Sequence, residues 1–431
     1  MADPGLGTMN QGICLPEEVL KIMDRLQGAG YDVYVVGGFL RDLLLQEPTH
    51  DIDLASSATP DQVMALFPDY KLIPTGLAHG TLTILAGDRL IELTSFRREG
   101  PYSDHRHPDQ VWFTQSIEED LARRDFTINA MAYHPDRGLL DPWGGLKDLD
   151  ARLIRAVGLP RDRFREDALR IMRGLRFASQ LAFELEADTR QAMRDQSPLL
   201  EKVAPERLKP ELEAFLCGQA VARLLVEEPL IWGQLIPELD PLGKESRDLD
   251  WSLDQLGRRL TAVRPDPVMR MAALLYDLHM PSRALTVLRR LRFSNDQVKS
   301  MDLLLSAKSL ELAADGRSLC RALRLLGRDL FFDHLALRLA DSRARLPQNT
   351  RQIQELEAVG TRAGQLIDQG RFLELSDLAI NGRDLLALGY RGPSIGVRLD
   401  QILEAVCLGQ VPNDRQALLA FLESIGDERL T

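Results

Sequence analysis

Tyr31-Asp-Val-Tyr-Val-Val-Gly-Gly-Phe-Leu-Arg-Asp-Leu-Leu-Leu45, followed shortly by Asp51-Ile-Asp-Leu-Ala55, decides how the chain begins to fold. The β-branched and aromatic run to Val36 reads as a strand, the two glycines as a turn, and Phe39 to Leu45 as a helix by its apolar spacing. Asp51 to Ala55 alternates as a short strand, and side chains two apart on a strand leave the same face, so Asp51 and Asp53 project together. Gly37 and Gly38 let backbone N–H groups approach a triphosphate at the helix N-terminus, where the dipole favours negative charge. The carboxylate pair can hold two Mg²⁺ ions, one serving an attacking 3′-hydroxyl and the other a departing pyrophosphate. Alone, a Gly-Gly pair is a turn and an Asp-x-Asp a surface accident; their fixed order is far more specific.

Outward from this stretch, Pro16 to Gly28 reads as an opening helix, and Thr59-Pro60 as the start of another. Thr81 to Leu85 and Arg89 to Phe96 form a hairpin around Gly87-Asp88. Glu92, charged and flanked by apolar residues on the second strand, is the candidate third carboxylate; the competing reading is a solvent-facing position on a half-exposed strand. From Gly145 onward strand signals nearly vanish and Leu, Ala and Arg recur at helical spacing. The expected fold is α+β: a small N-terminal mixed β-sheet head over residues 1–144, then an all-helical neck (145–215), body (216–346) and tail (347–431), with breaks near Cys217-Gly218 and Pro347.

The 431-residue chain is 45% hydrophobic and 27% charged, with no apolar run long enough to cross a bilayer, and the opening Met1 to Gly12 lacks the apolar core of a signal peptide. A cytoplasmic, non-membrane protein is expected. Cys14, Cys217, Cys320 and Cys407 lie far apart, in no metal-binding or disulfide pattern. A net charge of −11 sits poorly with a nucleic-acid binder, yet residues 151–180 hold eight arginines against three acids. That segment is either a basic patch or a solvated helix with scattered ion pairs.

Gly37-Gly-Phe-Leu-Arg-Asp followed by Asp51-Ile-Asp-Leu resembles the signature of the DNA polymerase beta nucleotidyltransferase superfamily. Later segments resemble its class II tRNA nucleotidyltransferases, the CCA-adding enzymes, and the related bacterial poly(A) polymerases. Glu119-Asp-Leu-Ala-Arg-Arg-Asp-Phe-Thr-Ile-Asn-Ala-Met-Ala132 looks like the family's second motif, which implies that Arg124, Asp125 and Asn129 contact ribose and phosphates. If the segment is helical, Asp125 and Asn129 share a face. Arg163-Phe-Arg-Glu-Asp-Ala-Leu-Arg170 resembles the protein template that replaces a nucleic-acid strand. The resemblance implies that Asp167 and Arg170, three apart on one helix, read the base edge while Glu166 orients the arginine; an ordinary helical salt bridge is the competing reading. Arg41 and Arg173 join the implied nucleotide-binding set.

Glu206-Arg207 to Glu211-Leu-Glu213 resembles the fifth motif, with a supporting role. Arg97-Arg-Glu-Gly-Pro-Tyr-Ser-Asp-His-Arg-His-Pro-Asp109 looks like the loop used in switching to ATP, with Asp104 and Arg106 in place and His105 where relatives carry Gly. Ala273-Leu-Leu-Tyr-Asp-Leu278 resembles a phosphohydrolase HD signature with Tyr276 in the place of its His, so no phosphohydrolase activity is expected. Ile380-Asn-Gly-Arg-Asp-Leu385 to Gly392-Pro-Ser-Ile-Gly396 resembles a C-terminal helical module, implied to support the tRNA elbow.

The resemblance implies addition of CMP, CMP and AMP from CTP and ATP to the 3′ end of tRNA, with Asp51, Asp53 and Glu92 catalytic and no protein partner. A-adding, CC-adding and poly(A)-polymerase activities are rivals within the superfamily, and a non-catalytic tRNA-binding protein is the rival outside it.

Overall fold

The computed structural model describes residues 13–49, 52–77, 80–100, 110–239, 252–278, 281–345, 349–369 and 374–425. Nine strands lie among the described residues of the first third of the chain: β1 (Val33–Val36), β2 (Ile52–Ser56), β3 (Lys71–Gly76), β4 (Thr81–Ala86), β5 (Arg89–Ser95), β6 (Arg97–Glu99), β7 (Val111–Phe113), β8 (Ala132–His134) and β9 (Gly138–Leu140). Seven form one mixed sheet in the order β3-β4-β5-β2-β1-β8-β9, while β6 and β7 pair as a separate antiparallel ribbon. Only the β2–β5 pairing in the large sheet is parallel.

One sheet face carries Val33, Val35, Ile52, Leu54, Ile84 and Ile91 into a core with Ile22 of α1 (Glu17–Gly28), Phe39 of α2 (Gly37–Leu45) and Val63 of α3 (Pro60–Leu66). The helix expected from Phe39 therefore starts earlier, at Gly37. Residues one step out of phase along β1 and β2, including Tyr34, Val36 and Ala55, face the other side and pack with Phe96 and Leu121. Asp53 belongs to that second face because of the two-residue period. The β4–β5 hairpin turns at Gly87, φ +65°, as its sequence predicts.

Helices then take over: α4 (Ile117–Ala122), α5 (Gly145–Asp150), α6 (Pro160–Glu166), α7 (Leu169–Leu181), α8 (Ala187–Gln196) and α9 (Pro205–Leu216). The α+β architecture is as expected, with one small addition: Leu153–Ile154 and Glu184–Leu185 pair in parallel as two-residue strands. α7 packs against α9, and Ser179 donates to the Phe215 carbonyl at 2.7 Å. A Cβ at Gly218 would fall 2.1 Å from the Ser179 hydroxyl, so glycine is needed for this close approach.

Two local expectations are corrected. Asp125 and Asn129 do not share an α-helix: α4 stops at Ala122, Phe126 is extended, and Thr127–Asn129 is a 3₁₀ turn. The Asp125 carboxylate takes the Phe126 N–H at 2.8 Å, a local bond that competes with helix continuation. Likewise Asp167 and Arg170 do not lie on one helix. Asp167 is extended (φ −137°, ψ 106°) between α6 and α7, and its carboxylate accepts the N–H of Leu169, the first residue of the second helix, at 3.1 Å.

The chain divides into two compact units, residues 1–220 with 228–235, and residues 221–227 with 236–431. The described second unit is helical. Leu319, Phe331, Leu335 and Leu356 centre one core there, and Ile380, Tyr390, Ile402 and Leu418 another. At the HD-like segment, Tyr276 is buried, and Asp277 binds the Arg259 guanidinium and that of Arg345, the latter at 2.9 Å. Its carboxylate is thus engaged in a buried ion network. No described helix is long and apolar enough to cross a membrane.

Candidate active site

The parallel β2–β5 register places Asp53 directly beside Glu92 on the second sheet face, about 4.8 Å apart between strands. Glu92 is solvent-exposed. Gly37 sits against Asp53: its φ is +69°, and a Cβ there would lie 3.1 Å from Asp53 Oδ2 and 3.2 Å from Arg124 Nη1. Glycine thus lets the start of α2, the Asp53 carboxylate and the Arg124 guanidinium meet. Asp51 lies outside the described residues, as do Asp104, His105 and Arg106.

Behind the carboxylates, acids fix arginines in a fan. Buried Asp120 accepts from Arg123 at 2.7 Å and Arg124 at 3.1 Å. Burial disfavours its charge, but those two guanidinium groups hold its carboxyl below the usual range. Asp125 accepts Arg173 Nε at 2.7 Å and Asn129 Nδ2 at 3.3 Å, and Asn129 Oδ1 in turn accepts Arg41 Nη1 at 2.9 Å. Burial opposes the Asp125 charge too; Arg173 outweighs it and brings the carboxyl down to about 2. Arg176 Nε approaches Glu211 at 3.0 Å. The Arg41, Arg173 and Arg176 guanidinium carbons stand 5.2, 5.2 and 4.4 Å from the Phe177 ring centre, within cation–π range.

Asp167 and Arg170 are gripped separately. Arg207 donates to both Asp167 oxygens at 3.2 and 2.7 Å. Arg170 donates to Glu166 at 2.6 Å, as the sequence suggests, and to the carbonyls of Arg163 and Arg123 at 3.2 and 3.0 Å. The break between α6 and α7 gives the two side chains independent supports.

A cavity of about 720 Å³ gathers these groups. Gly37, Gly38, Arg41, Asp53, Arg124, Asp125, Asn129, Asp167, Arg170 and Arg173 all line it; Glu92 does not, although it neighbours Asp53. The lining also includes Arg97, Glu99, Arg123, Arg176, Phe177 and Arg207, which sequence reasoning did not assign to nucleotide binding. Arg176 belonged to the noted basic stretch and Arg207 to the fifth motif, read only as support; nothing in the sequence marked Phe177. Eight arginines face four carboxylates there, so an acidic chain concentrates positive potential where an anion would bind. The stretch 151–180 divides between the two readings: Arg170, Arg173 and Arg176 line the cavity, whereas Arg155 and Arg161 pair with Asp148 and Asp195.

Residues 33–155 match the family model of the Poly A polymerase head domain, and residues 269–422 that of tRNA nucleotidyltransferase domain 2. Along 94% of its length the chain is 33% identical to the CCA-adding enzyme of Pediococcus pentosaceus, spanning 96% of that protein. It is 36% identical to the CCA-adding enzyme of Lactiplantibacillus plantarum, over 95% of this chain and 96% of that one. The chain belongs to the CCA-adding enzymes. Its fold agrees: the CCA-adding enzyme of Bacillus stearothermophilus, solved in complex with CTP, superposes with a TM-score of 0.73 at 32% identity, covering 95% of this chain and 97% of that one. The Thermotoga maritima CCA-adding enzyme complexed with tRNA shares the fold at a TM-score of 0.66 and 20% identity, covering 96% of this chain and 97% of that one.

As a CCA-adding enzyme the chain is a nucleotidyltransferase, a family that uses divalent metal. The family expected from the motifs is the family found, and of the rivals weighed from the sequence neither poly(A) polymerase nor a non-catalytic role is favoured. The donor set fits a hard divalent cation, since Asp53 and Glu92 offer carboxylate oxygens side by side. No group of three or more potential ligands occurs among the described residues. The pair is the described part of the set that the sequence singles out.

Proposed function

We propose that the chain adds CMP, CMP and AMP in turn to the 3′ end of tRNA, drawing on CTP and ATP and releasing pyrophosphate at each step. Asp51 and Asp53, the latter with Glu92 beside it, would hold two Mg²⁺ ions, which would supply activation of the 3′-hydroxyl and neutralisation of the departing pyrophosphate. Gly37 and Gly38 present backbone N–H groups to the triphosphate at the start of α2, and Arg124 adds charge next to them. Asp125 and Asn129, hydrogen-bonded at 3.3 Å, accept and donate to the ribose. Asp167 and Arg170 hydrogen-bond the base edge, an acceptor and a donor able to serve cytosine or adenine after a small shift. Arg207 and Glu166 hold that pair in place. Transfer then depends on positioning and charge neutralisation.

The observation that carries this reading is the joining of Asp53, which has Glu92 beside it, to the Asp167–Arg170 pair by one arginine-lined cavity. The test is single-nucleotide extension of two tRNAs, one ending at the discriminator base and one in CC, with CTP, ATP or both in Mg²⁺. Completion of both to CCA is expected. Addition of one A to the CC-ended tRNA alone would replace the reading with an A-adding one.

A further inference from the structure

The β6–β7 ribbon carries two aromatic rings that no core absorbs: Trp112 and Phe113 are 42% and 45% exposed. Register separates them. Trp112 pairs with Arg98 on one face of the ribbon, where the Arg98 guanidinium covers it at 5.3 Å. Phe113 pairs with Arg97, and the strand period puts Glu99 on the same face; Arg97 and Glu99 both line the catalytic cavity.

Phe113 is seated on Gly80 at the edge of that cavity. Gly80 has φ +82°, and a Cβ there would fall 2.7 Å from Phe113 Cε1, so any other residue would displace the ring. Thr81, the next residue, joins its hydroxyl to that of Thr94 at 3.0 Å, and both line the cavity. Gly80 accepts the Ser95 N–H at 2.9 Å, so the ring lies near Ser95, three residues or about 10 Å along β5 from Glu92. One side of Phe113 is therefore fixed, and the rest of the ring is exposed on the ribbon face it shares with Arg97 and Glu99, which line the cavity.

We propose that the open face of Phe113 stacks on a base near the 3′ end of the RNA acceptor and thereby aims the terminal hydroxyl at Asp53. The proposal rests on the reading of a tRNA acceptor given above. Its chemistry suits an end that changes as it grows: every base has a π-face, so stacking tolerates a discriminator base, then C, then CC, where a hydrogen-bonding contact would discriminate. The incoming nucleotide has its own polar readers in Asp167 and Arg170.

Steady-state extension of a tRNA lacking CCA tests this with the full chain. Phe113→Ala is expected to raise the KM for tRNA roughly tenfold and leave the KM for CTP unchanged. Phe113→Tyr should restore the wild-type value. Phe113→Leu, which keeps an apolar contact with Gly80 but offers no π-face, should behave as the alanine variant does. A wild-type KM for tRNA in the leucine variant, or equal rises for tRNA and CTP in the alanine variant, would reduce the ring to a ribbon anchor and overturn the proposal. A wild-type protein that extends no tRNA would instead refute the acceptor reading, so the two failures are distinguishable.

Discussion

Arg207 of α9 clasps Asp167 through both terminal nitrogens, at 3.2 and 2.7 Å, across 40 residues of sequence. The proposed base reader is therefore aimed by a residue on another helix. Arg207→Ala should free the Asp167 carboxylate to rotate, so that choice among CTP, ATP, GTP and UTP degrades about as far as in Asp167→Ala. Competition assays with all four nucleotides measure this. Unchanged selectivity in Arg207→Ala would remove the positioning role.

Gly37→Ala combines two penalties. The left-handed backbone costs about 1–2 kcal/mol for a residue with a Cβ, and the methyl would press on Asp53 Oδ2 at 3.1 Å. At Gly38 the nearest atom is Arg41 Nη2 at 3.7 Å, an ordinary contact. We expect Gly37→Ala to lower kcat and thermal midpoint much more than Gly38→Ala does; equal effects would show that the meeting of α2 and β2 is tolerant.

Asp53→Ala should abolish incorporation while tRNA binding, followed by filter retention, persists. Glu92→Gln should slow single-turnover transfer by less, because Glu92 neighbours Asp53 without lining the cavity. Full activity in Asp53→Ala would end the carboxylate assignment.

Much of this arrangement was legible in the sequence and some of it could not be. The two-residue period put Asp53 on a defined face, and a glycine pair after a β-branched run announced the strand-to-helix turn. The same reasoning failed at Asp125 and Asp167, where an acidic side chain bonded the backbone just ahead and ended a helix that periodicity alone would continue. Short strands such as β8 and β9 carry too few residues to show alternation. Arg207 and Phe177 are site residues only through packing between helices distant in sequence, which no local pattern encodes.

Phe177 spaces three guanidinium groups around one ring. Phe177→Leu keeps an apolar filler but removes the π-face, so the arginines lose a shared attraction. The KM for CTP should rise several-fold while a tyrosine at this position retains the wild-type value. Identical behaviour of leucine and phenylalanine would make the ring a filler only.

Acid should weaken the fold partly through Asp125. Its folded value of about 2 lies below the ordinary 3.8, so the stabilisation is complete above the ordinary value and is lost as pH falls towards 2. The size is about 2 kcal/mol. Urea unfolding across that window should show a shallower decline for Asp125→Asn than for wild type. Parallel declines would refute the linkage.

Every cation lining the described cavity is an arginine; neither lysine nor histidine is among them. A guanidinium keeps its proton at any pH where imidazoles or amines titrate. The pull on an incoming triphosphate therefore has no proton switch among its cations, and acetylation, which silences lysine amines elsewhere, finds no target in this lining. Any pH dependence of transfer near neutrality falls to the substrates and to groups other than the cavity's cations.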